Sequence, residues 1–130
     1  MGQFYVIVLT PGGSFLGYRN YINEKKYEML YFLEIDRGTE RLQIIHDKVT
    51  GYKIYKDEKF HQNFGKFDDF LVLFQCNSKT RAENIRKNLI DHDGASFVWT
   101  THHKAVDENT LLKAPIWQDD QFNMCQVLKT

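Results

Sequence analysis

Two acidic residues, Glu34 and Asp36, occupy alternate positions in the apolar segment FLEIDRGTE at residues 32–40. Alternate side chains of a β-strand point to the same face, so these carboxylates would lie ~7 Å apart. A hard cation such as Mg²⁺ can lie between two carboxylates and keep several waters. A metal-bound water can then attack a phosphodiester while the ion offsets the phosphate charge. The spacing therefore predicts a Mg²⁺ site at Glu34 and Asp36 and makes both residues catalytic candidates.

The same two acids also fit a structural role. Asp36, at the end of the predicted strand, could cap the helix that follows, and Glu34 could pair with a lysine. Lys48 lies on that helix. It could reach back toward the acids, which makes it a third catalytic candidate, or it could be solvated. The residues alone leave these interpretations open.

The segments that must position the acids are rich in β-branched and aromatic residues, which predicts strands. These strands cover residues 3–9, 14–22, 27–36, 68–76 and 96–101, with a closing strand near the end of the chain. The third and fourth strands are apolar on both sides, as is typical of central strands. The element order predicts an α/β (α+β) fold with a mixed central sheet of about five strands flanked by helices. The early hairpins should be antiparallel and the strand–helix–strand part parallel.

Two helices are predicted between these strands. The first lies within residues 39–56, and its apolar residues recur at spacings of three and four: Leu42, Ile45, Val49, Tyr52 and Tyr55. The second should be capped by Asn77 or Ser78 and end at Gly94. Its apolar side consists of Ala82, Ile85 and Leu89. No repeat or linker divides the chain, so residues 1–130 are expected to form a single domain.

Four basic residues of the second helix, Lys79, Arg81, Arg86 and Lys87, are predicted to lie on its polar side. Such a patch could contact DNA phosphates, and a solvated helix face is the alternative. The whole chain has 17 basic and 17 acidic residues and a formal net charge of zero. A nonspecific nucleic-acid binder is usually basic, so any DNA contact must come from a local patch.

The remaining candidates for metal binding or redox chemistry are few. Cys76 and Cys125 lack the spacing of a metal knuckle and are predicted to be free thiols in a reducing cytoplasm. The adjacent pair His102 and His103 has no third ligand at a suitable spacing, so a surface or packing role is expected. No signal-like start and no apolar run of ~20 residues is present. We therefore expect a cytoplasmic protein with no membrane partner.

Four segments of the chain resemble, in the same order, parts of the replication-relaxation family of plasmids and other mobile elements. They are FLEIDRGTERLQIIHDKVTGYKIY, FLVLFQCNSKTRAENIRKNL, SFVWTT and APIW. The run E-x-D-R-G-T-E is the most specific piece. The carboxy-terminal part of that family resembles a restriction-endonuclease-like core, the PD-(D/E)xK architecture. By this resemblance Glu34 and Asp36 fall at the second acidic motif, with Asp36 in place of its lysine, and Gly12 stands where the first acid is expected.

The resemblance implies a DNA-associated protein of a mobile genetic element, with a degenerate nuclease site and a binding role in DNA replication or processing. Two alternatives stay open, an active Mg²⁺-dependent DNA nickase or endonuclease and a non-catalytic protein-binding module of a phage or plasmid. The sequence therefore does not decide whether the protein is an enzyme. The expected partners are DNA, a replication protein or another protein, and the sequence is compatible with a homodimer.

Overall fold

A computed structural model describes residues 3–9, 13–22 and 25–127, apart from 60, 61, 63–68, 103–109 and 111–113, and describes side chains from residue 30 onward. Within these ranges the elements are β1 Gln3–Leu9, β2 Gly13–Ile22, β3 Lys25–Asp36, α1 Leu42–Asp57, β4 Asp69–Cys76, α2 Lys79–Asn88, β5 Val98–Thr101, β6 Trp117–Gln118 and β7 Met124–Cys125. Neither α1 nor α2 is long and apolar enough to cross a membrane.

The strands form one mixed sheet in which the spatial order is the order along the chain. β1, β2 and β3 pair antiparallel, whereas β3, β4 and β5 pair parallel. The two-residue strands β6 and β7 add a short antiparallel edge beyond β5. The predicted α/β class, with antiparallel hairpins followed by parallel strands, is confirmed. In the register of β3 and β4, Glu34 lies beside Phe74 and Asp36 beside Cys76.

One face of the sheet is covered by α1 and α2. The core on this face includes Leu30 and Phe32 of β3, Phe70, Val72 and Phe74 of β4, Ile45 and Val49 of α1, Ala82 and Ile85 of α2, and Leu89, the C-cap residue of α2. Leu42, Tyr52 and Tyr55 pack against it, so the predicted apolar stripes of both helices are confirmed. Because side chains alternate along β3, Glu34 and Asp36 share the face of Phe32 and lie beneath the helices.

The opposite face of the sheet packs against the C-terminal segment. Tyr31 and Leu73 form a second buried cluster there with Ile116, Trp117 and Val127. Trp117 is fully buried in this cluster. Because burial of a large aromatic side chain is strongly favourable, Trp117 holds the C-terminal segment against the sheet.

Both cysteines are free thiols, as predicted. Cys76 is buried at the end of β4, and burial together with the charge of Asp36 raises the pKa of its thiol to about 12. A thiol with so high a pKa carries almost no thiolate at neutral pH and is a poor nucleophile.

The boundaries of α2 differ in part from the prediction. Ser78 is the N-cap residue, and its hydroxyl accepts a hydrogen bond from the backbone N–H of Arg81 at 3.1 Å, as expected for a serine cap. The helix ends at Asn88 rather than at Gly94, and a 3₁₀ turn at Ala95–Phe97 delays β5 to Val98. The predicted end was wrong because the chain turns away from the helix axis soon after Leu89.

The segment after α2 is held by a small polar cluster against α1. The Nδ1 atom of His92 accepts a hydrogen bond from the backbone N–H of Gly94 at 2.8 Å, and its Nε2 atom lies 2.8 Å from the Thr50 hydroxyl. The ring of His46 meets the ring of His92 edge to face, with centroids 4.5 Å apart. His46 is half-buried in this contact. Burial, and then the proximity of His46, lower the pKa of His92, although Asp93 acts in the opposite direction.

Two glycines give a matched test of this packing. A Cβ atom at Gly94 would lie 2.7 Å from Cγ1 of Val49 and 2.8 Å from Cζ of Phe97, whereas one at Gly51 would meet nothing within 4 Å. We expect Gly94→Ala to lower the free energy of unfolding by about 1–3 kcal/mol through overpacking. Gly51→Ala should raise it by about 1 kcal/mol because alanine is the better helix former. Urea unfolding of both variants measures these changes, and equal effects at the two sites would contradict the packing.

The His92 cluster makes stability depend on pH. Since the folded pKa lies below the ordinary value of 6.5, the unfolded chain binds the proton first as the pH falls. The contribution of His92 is therefore complete above pH ~6.5 and is lost progressively below it. His92→Asn keeps an acceptor near Gly94 but cannot titrate. Urea unfolding between pH 7.5 and 5 should show a smaller loss of stability in this variant, and parallel curves for the two proteins would refute the assignment.

Candidate functional site

Asp36 is held by a two-point contact with Arg81. Arg81 Nε donates to Oδ2 of Asp36 at 2.8 Å, and Nη2 donates to Oδ1 at 3.1 Å. The same Nη2 atom also donates to the backbone carbonyl of Glu40 at 2.7 Å. The Asp36 side chain is only 3% exposed, so this pair is shielded from water. The prediction that Asp36 caps α1 is wrong, because the N-cap residue of that helix is Arg41.

Glu34 is the centre of a second polar cluster. The Tyr52 hydroxyl donates to Oε1 of Glu34 at 2.5 Å, and Nζ of Lys48 lies 3.6 Å from Oε2. Lys48 also donates to Glu40 at 3.1 Å, so one ammonium bridges two carboxylates. The structure thus confirms that Glu34 pairs with a lysine and that Lys48 reaches back toward the strand.

The protonation states within this cluster oppose general-base chemistry. Burial alone would lower the pKa of Lys48, but its hydrogen bond to Glu40 and the charge of Glu34 together raise it. Burial, followed by the charge of Glu34, raises the pKa of the Tyr52 phenol well above its ordinary value. At neutral pH the ammonium stays charged and the phenol stays protonated. Both side chains therefore act as hydrogen-bond donors to the acids.

The acids as arranged do not fit the predicted Mg²⁺ site. Both oxygens of Asp36 accept hydrogen bonds from a guanidinium, and both oxygens of Glu34 face a hydroxyl or an ammonium. A cation between the two carboxylates would have to displace Arg81 or approach it against charge repulsion. Across the part of the chain that the structure describes, no group of three or more His, Cys, Asp or Glu side chains could hold a metal. Gly12, the position of the expected first acid, lies outside the described residues.

The rest of the R-G-T-E run fixes the loop between β3 and α1. Gly38 has a φ of 78°, a left-handed conformation that glycine adopts without strain. A Cβ atom at Gly38 would lie 2.9 Å from Nδ2 of Asn77, and this amide donates to the carbonyl of Arg37 at 2.8 Å. The loop therefore lies against the residues that start α2. Each polar or glycine position of the run from Glu34 to Glu40, apart from Thr39, has a structural contact.

The four basic residues predicted to bind nucleic acid do not form one patch. Lys79 and Lys87 are exposed on α2, whereas Arg81 is committed to Asp36. Arg86 is only 5% exposed and donates to the backbone carbonyls of Val98 at 2.7 Å and Gln118 at 3.1 Å. The predicted placement of Arg86 on the polar side is wrong. Position 86 lies four residues from Ala82 and so shares the buried side of the helix.

Sequence reasoning missed two exposed cations, Arg37 and Arg41. Both precede α1, with Arg41 as its N-cap residue, and Lys79 is the first residue of α2. Contacts of Asn77 and Arg81 with the β3–α1 loop bring these segments together. We call Arg37, Arg41 and Lys79 the basic edge. The signal that could have found it is topological, since β3 and β4 are parallel and their carboxyl ends meet at one edge of the sheet.

The histidine pair is only partly described. His102 is exposed after β5, and His103 lies outside the described residues. The expected surface role of His102 is consistent with this exposure.

Comparison with known proteins finds no matching protein-family profile, no matching curated protein and no matching solved structure. The resemblance to replication-relaxation proteins and the restriction-endonuclease-like core therefore stay predictions. The mixed sheet with two helices on one face stands on the structure itself.

The Asp36 and Arg81 contact can be tested by a double-mutant cycle. Arg81→Met leaves a buried carboxylate without its counter-charge and should lower the free energy of unfolding by about 3 kcal/mol. Adding Asp36→Asn removes that charge and should recover part of the loss, giving a coupling energy of about 1–3 kcal/mol. Urea unfolding of the wild type, both single variants and the double variant gives this value. Additive costs would show that the two side chains do not interact.

Proposed function

We propose that this chain is a DNA-associated protein of a mobile genetic element, related to replication-relaxation proteins, that binds nucleic acid rather than cutting it. The observation that carries the proposal is the contact in which Arg81 occupies both oxygens of Asp36. An acid held in this way contributes to the fold and is withdrawn from metal binding. The contact therefore supports the part of the proposal in which the acidic pair has a structural use and does not cut DNA.

The basic edge supplies the surface for phosphate contact in this proposal. Neither α1 nor α2 has an acidic residue in its first turn, although acids are favoured there. Exposed cations stand at these starts instead, and Lys79 is 74% exposed. Cations at helix N-termini oppose the helix dipole, whereas a bound phosphate would be attracted by both the dipole and the cations. This inversion of the usual charge pattern favours an anionic partner.

The strength of the interaction should be modest. The chain has equal numbers of acidic and basic residues, so no long-range attraction draws it to DNA. Lys79 lies 4.0 Å from Glu83, an exposed pair that is worth little and can open to a phosphate. We therefore expect a local contact with two or three phosphates, together with a further partner that adds affinity in the cell.

A second candidate function is that of a non-catalytic protein-binding module. Ile90, Phe122 and Met124 are 71%, 65% and 57% exposed, respectively. Exposed apolar side chains around one depression are more typical of a binding surface than of solvated structure. This function and DNA binding use different residues and can be separated by mutation.

DNA binding through the basic edge predicts a change in salt dependence. Replacing Arg41 and Lys79 by glutamine should reduce the slope of log affinity against log salt by about two, since each lost phosphate contact removes ~0.9. The matched control, Lys53→Gln with Lys59→Asn, removes the same charge from the other end of α1. Fluorescence anisotropy with a labelled duplex at several salt concentrations measures both. Equal slopes for the two variants would place the DNA contact elsewhere.

The alternative function, DNA cutting, is tested with the wild type and a variant that lacks both acids. Wild type and the Glu34→Gln, Asp36→Asn variant are incubated with supercoiled plasmid and Mg²⁺ or Mn²⁺. The proposal expects no nicking by either protein. Nicking by the wild type that disappears in the variant would establish the nickase instead.

A further inference from the structure

A pocket of about 710 Å³ lies between α2 and the β6–β7 hairpin, at the end of β5. This volume is within the range of small-molecule sites in proteins, roughly 300–1,000 Å³. Its apolar wall is formed by Ala82, Leu89, Ile90, Ile116, Phe122 and Met124. Glu34, Asp36, Arg37 and Arg41 are not among the lining residues, and the basic edge reaches the pocket only at Lys79 on its rim.

Two buried polar groups in the lining lack hydrogen-bond partners. Arg86 is 5% exposed and Thr101 is 2% exposed. Nε of Arg86 and Oγ1 of Thr101 have no partner among the described residues. A buried polar group without a partner costs roughly 1–3 kcal/mol, and more when it is charged. A ligand that enters the pocket and shifts its lining can supply the hydrogen-bond acceptor that Nε of Arg86 lacks.

The unpaired charge in the wall defines the ligand's polar group. Arg86 donates to backbone carbonyls, and no carboxylate of the described residues lies within ion-pair distance of its guanidinium. Burial lowers its pKa, although Asp120 and Asp119 act in the opposite direction from farther away. It is the only buried charged side chain among the described residues of the lining. A buried cation without a counter-charge favours an anionic group.

The mouth of the pocket favours an apolar body. Phe122, at the tip of the hairpin, has a φ of 63°, which is strained for a bulky side chain. The turn is fixed by Asp119, whose Oδ1 atom accepts from the backbone N–H groups of Gln121 and Asn123, both at 2.9 Å. These bonds hold the exposed ring at the pocket. Backbone strain that presents an aromatic side chain to a cavity is typical of a binding site.

The charged rim is balanced. Lys79 and Lys87 lie on the α2 side with Glu83, and Asp120 lies on the hairpin side. The rim therefore does not select a ligand by charge, and selection comes from the interior. We infer that this pocket binds a small amphipathic carboxylic acid, with its carboxylate toward Arg86 and its aliphatic or aromatic body against Phe122, Met124 and Ile90.

Octanoate and the neutral 1-octanol are the matched probes for this inference. Titrations followed by amide chemical shifts give both the affinity and the location of binding. Octanoate should bind at least tenfold more tightly than octanol, with the largest shifts at Thr101 and in the hairpin around Phe122. Equal affinities, shifts elsewhere in the protein, or no binding of octanoate at millimolar concentration would overturn the inference.

Two substitutions separate the pocket wall from its surroundings without endangering the fold. Thr101→Val removes a hydroxyl that has no partner and that strand alternation places on the sheet face of Trp99, away from α2, so thermal stability should be unchanged or higher and the octanoate affinity unchanged. Phe122→Gly relieves the left-handed φ and removes the aromatic wall, so it should also keep stability and weaken binding by tenfold or more. Lys53→Gln, at the far end of α1, is the control and should leave the affinity unchanged. Octanoate binding that survives Phe122→Gly unchanged would show that the acid does not occupy this pocket.

Discussion

The contact between Asp36 and Arg81 fixes the carboxyl end of the sheet. It joins the last residue of β3 to the first turn of α2, and the same guanidinium holds the carbonyl of Glu40 just before α1. Both helix starts are therefore set by one side chain. Without Arg81, the buried carboxylate of Asp36 would keep its charge but have no counter-charge. The free energy lost in that case is much larger than the net stabilisation that the intact pair contributes. The left-handed turn at Gly38 is the backbone conformation that this arrangement requires.

Alternating acids on a strand satisfy two different physical needs, and the sequence does not distinguish them. A metal site needs carboxylate oxygens that are free to coordinate, whereas a helix that packs through basic residues needs the same oxygens as acceptors. In this protein Tyr52 and Lys48 occupy Glu34, and Arg81 occupies Asp36. Arg81, the partner that determines the role of Asp36, lies 45 residues downstream. Rules based on local sequence spacing cannot predict a contact over this separation. In this protein both acids of the pair therefore serve packing between β3 and the two helices.

The predictable part of the fold follows from local patterns. Runs that are apolar on both sides indicated β3 and β4, and the three- and four-residue spacing of apolar residues such as Ile45 and Val49 indicated the buried side of α1. The wrong predictions concern Arg86 and the end of α2, where tertiary contacts override local preference. Its charge led to the prediction that Arg86 is exposed to solvent. A guanidinium has five hydrogen-bond donors, however, and can pair with backbone carbonyls that would otherwise be buried without a partner. The pocket is likewise invisible in the sequence because its walls come from segments that lie far apart along the chain.

Helix α2 is attached to the sheet by two arginines as well as by its few apolar residues. Of its ten residues only Ala82, Ile85 and Arg86 are buried, so hydrophobic contact alone gives it a weak hold on the sheet. Arg81 ties its first turn to β3 and the β3–α1 loop, and Arg86 ties its last turn to the carbonyls of β5 and β6. Lys79 lies both on the basic edge and in the pocket lining. Both proposed binding surfaces therefore include this one helix, and its position is set by guanidinium groups at its two ends.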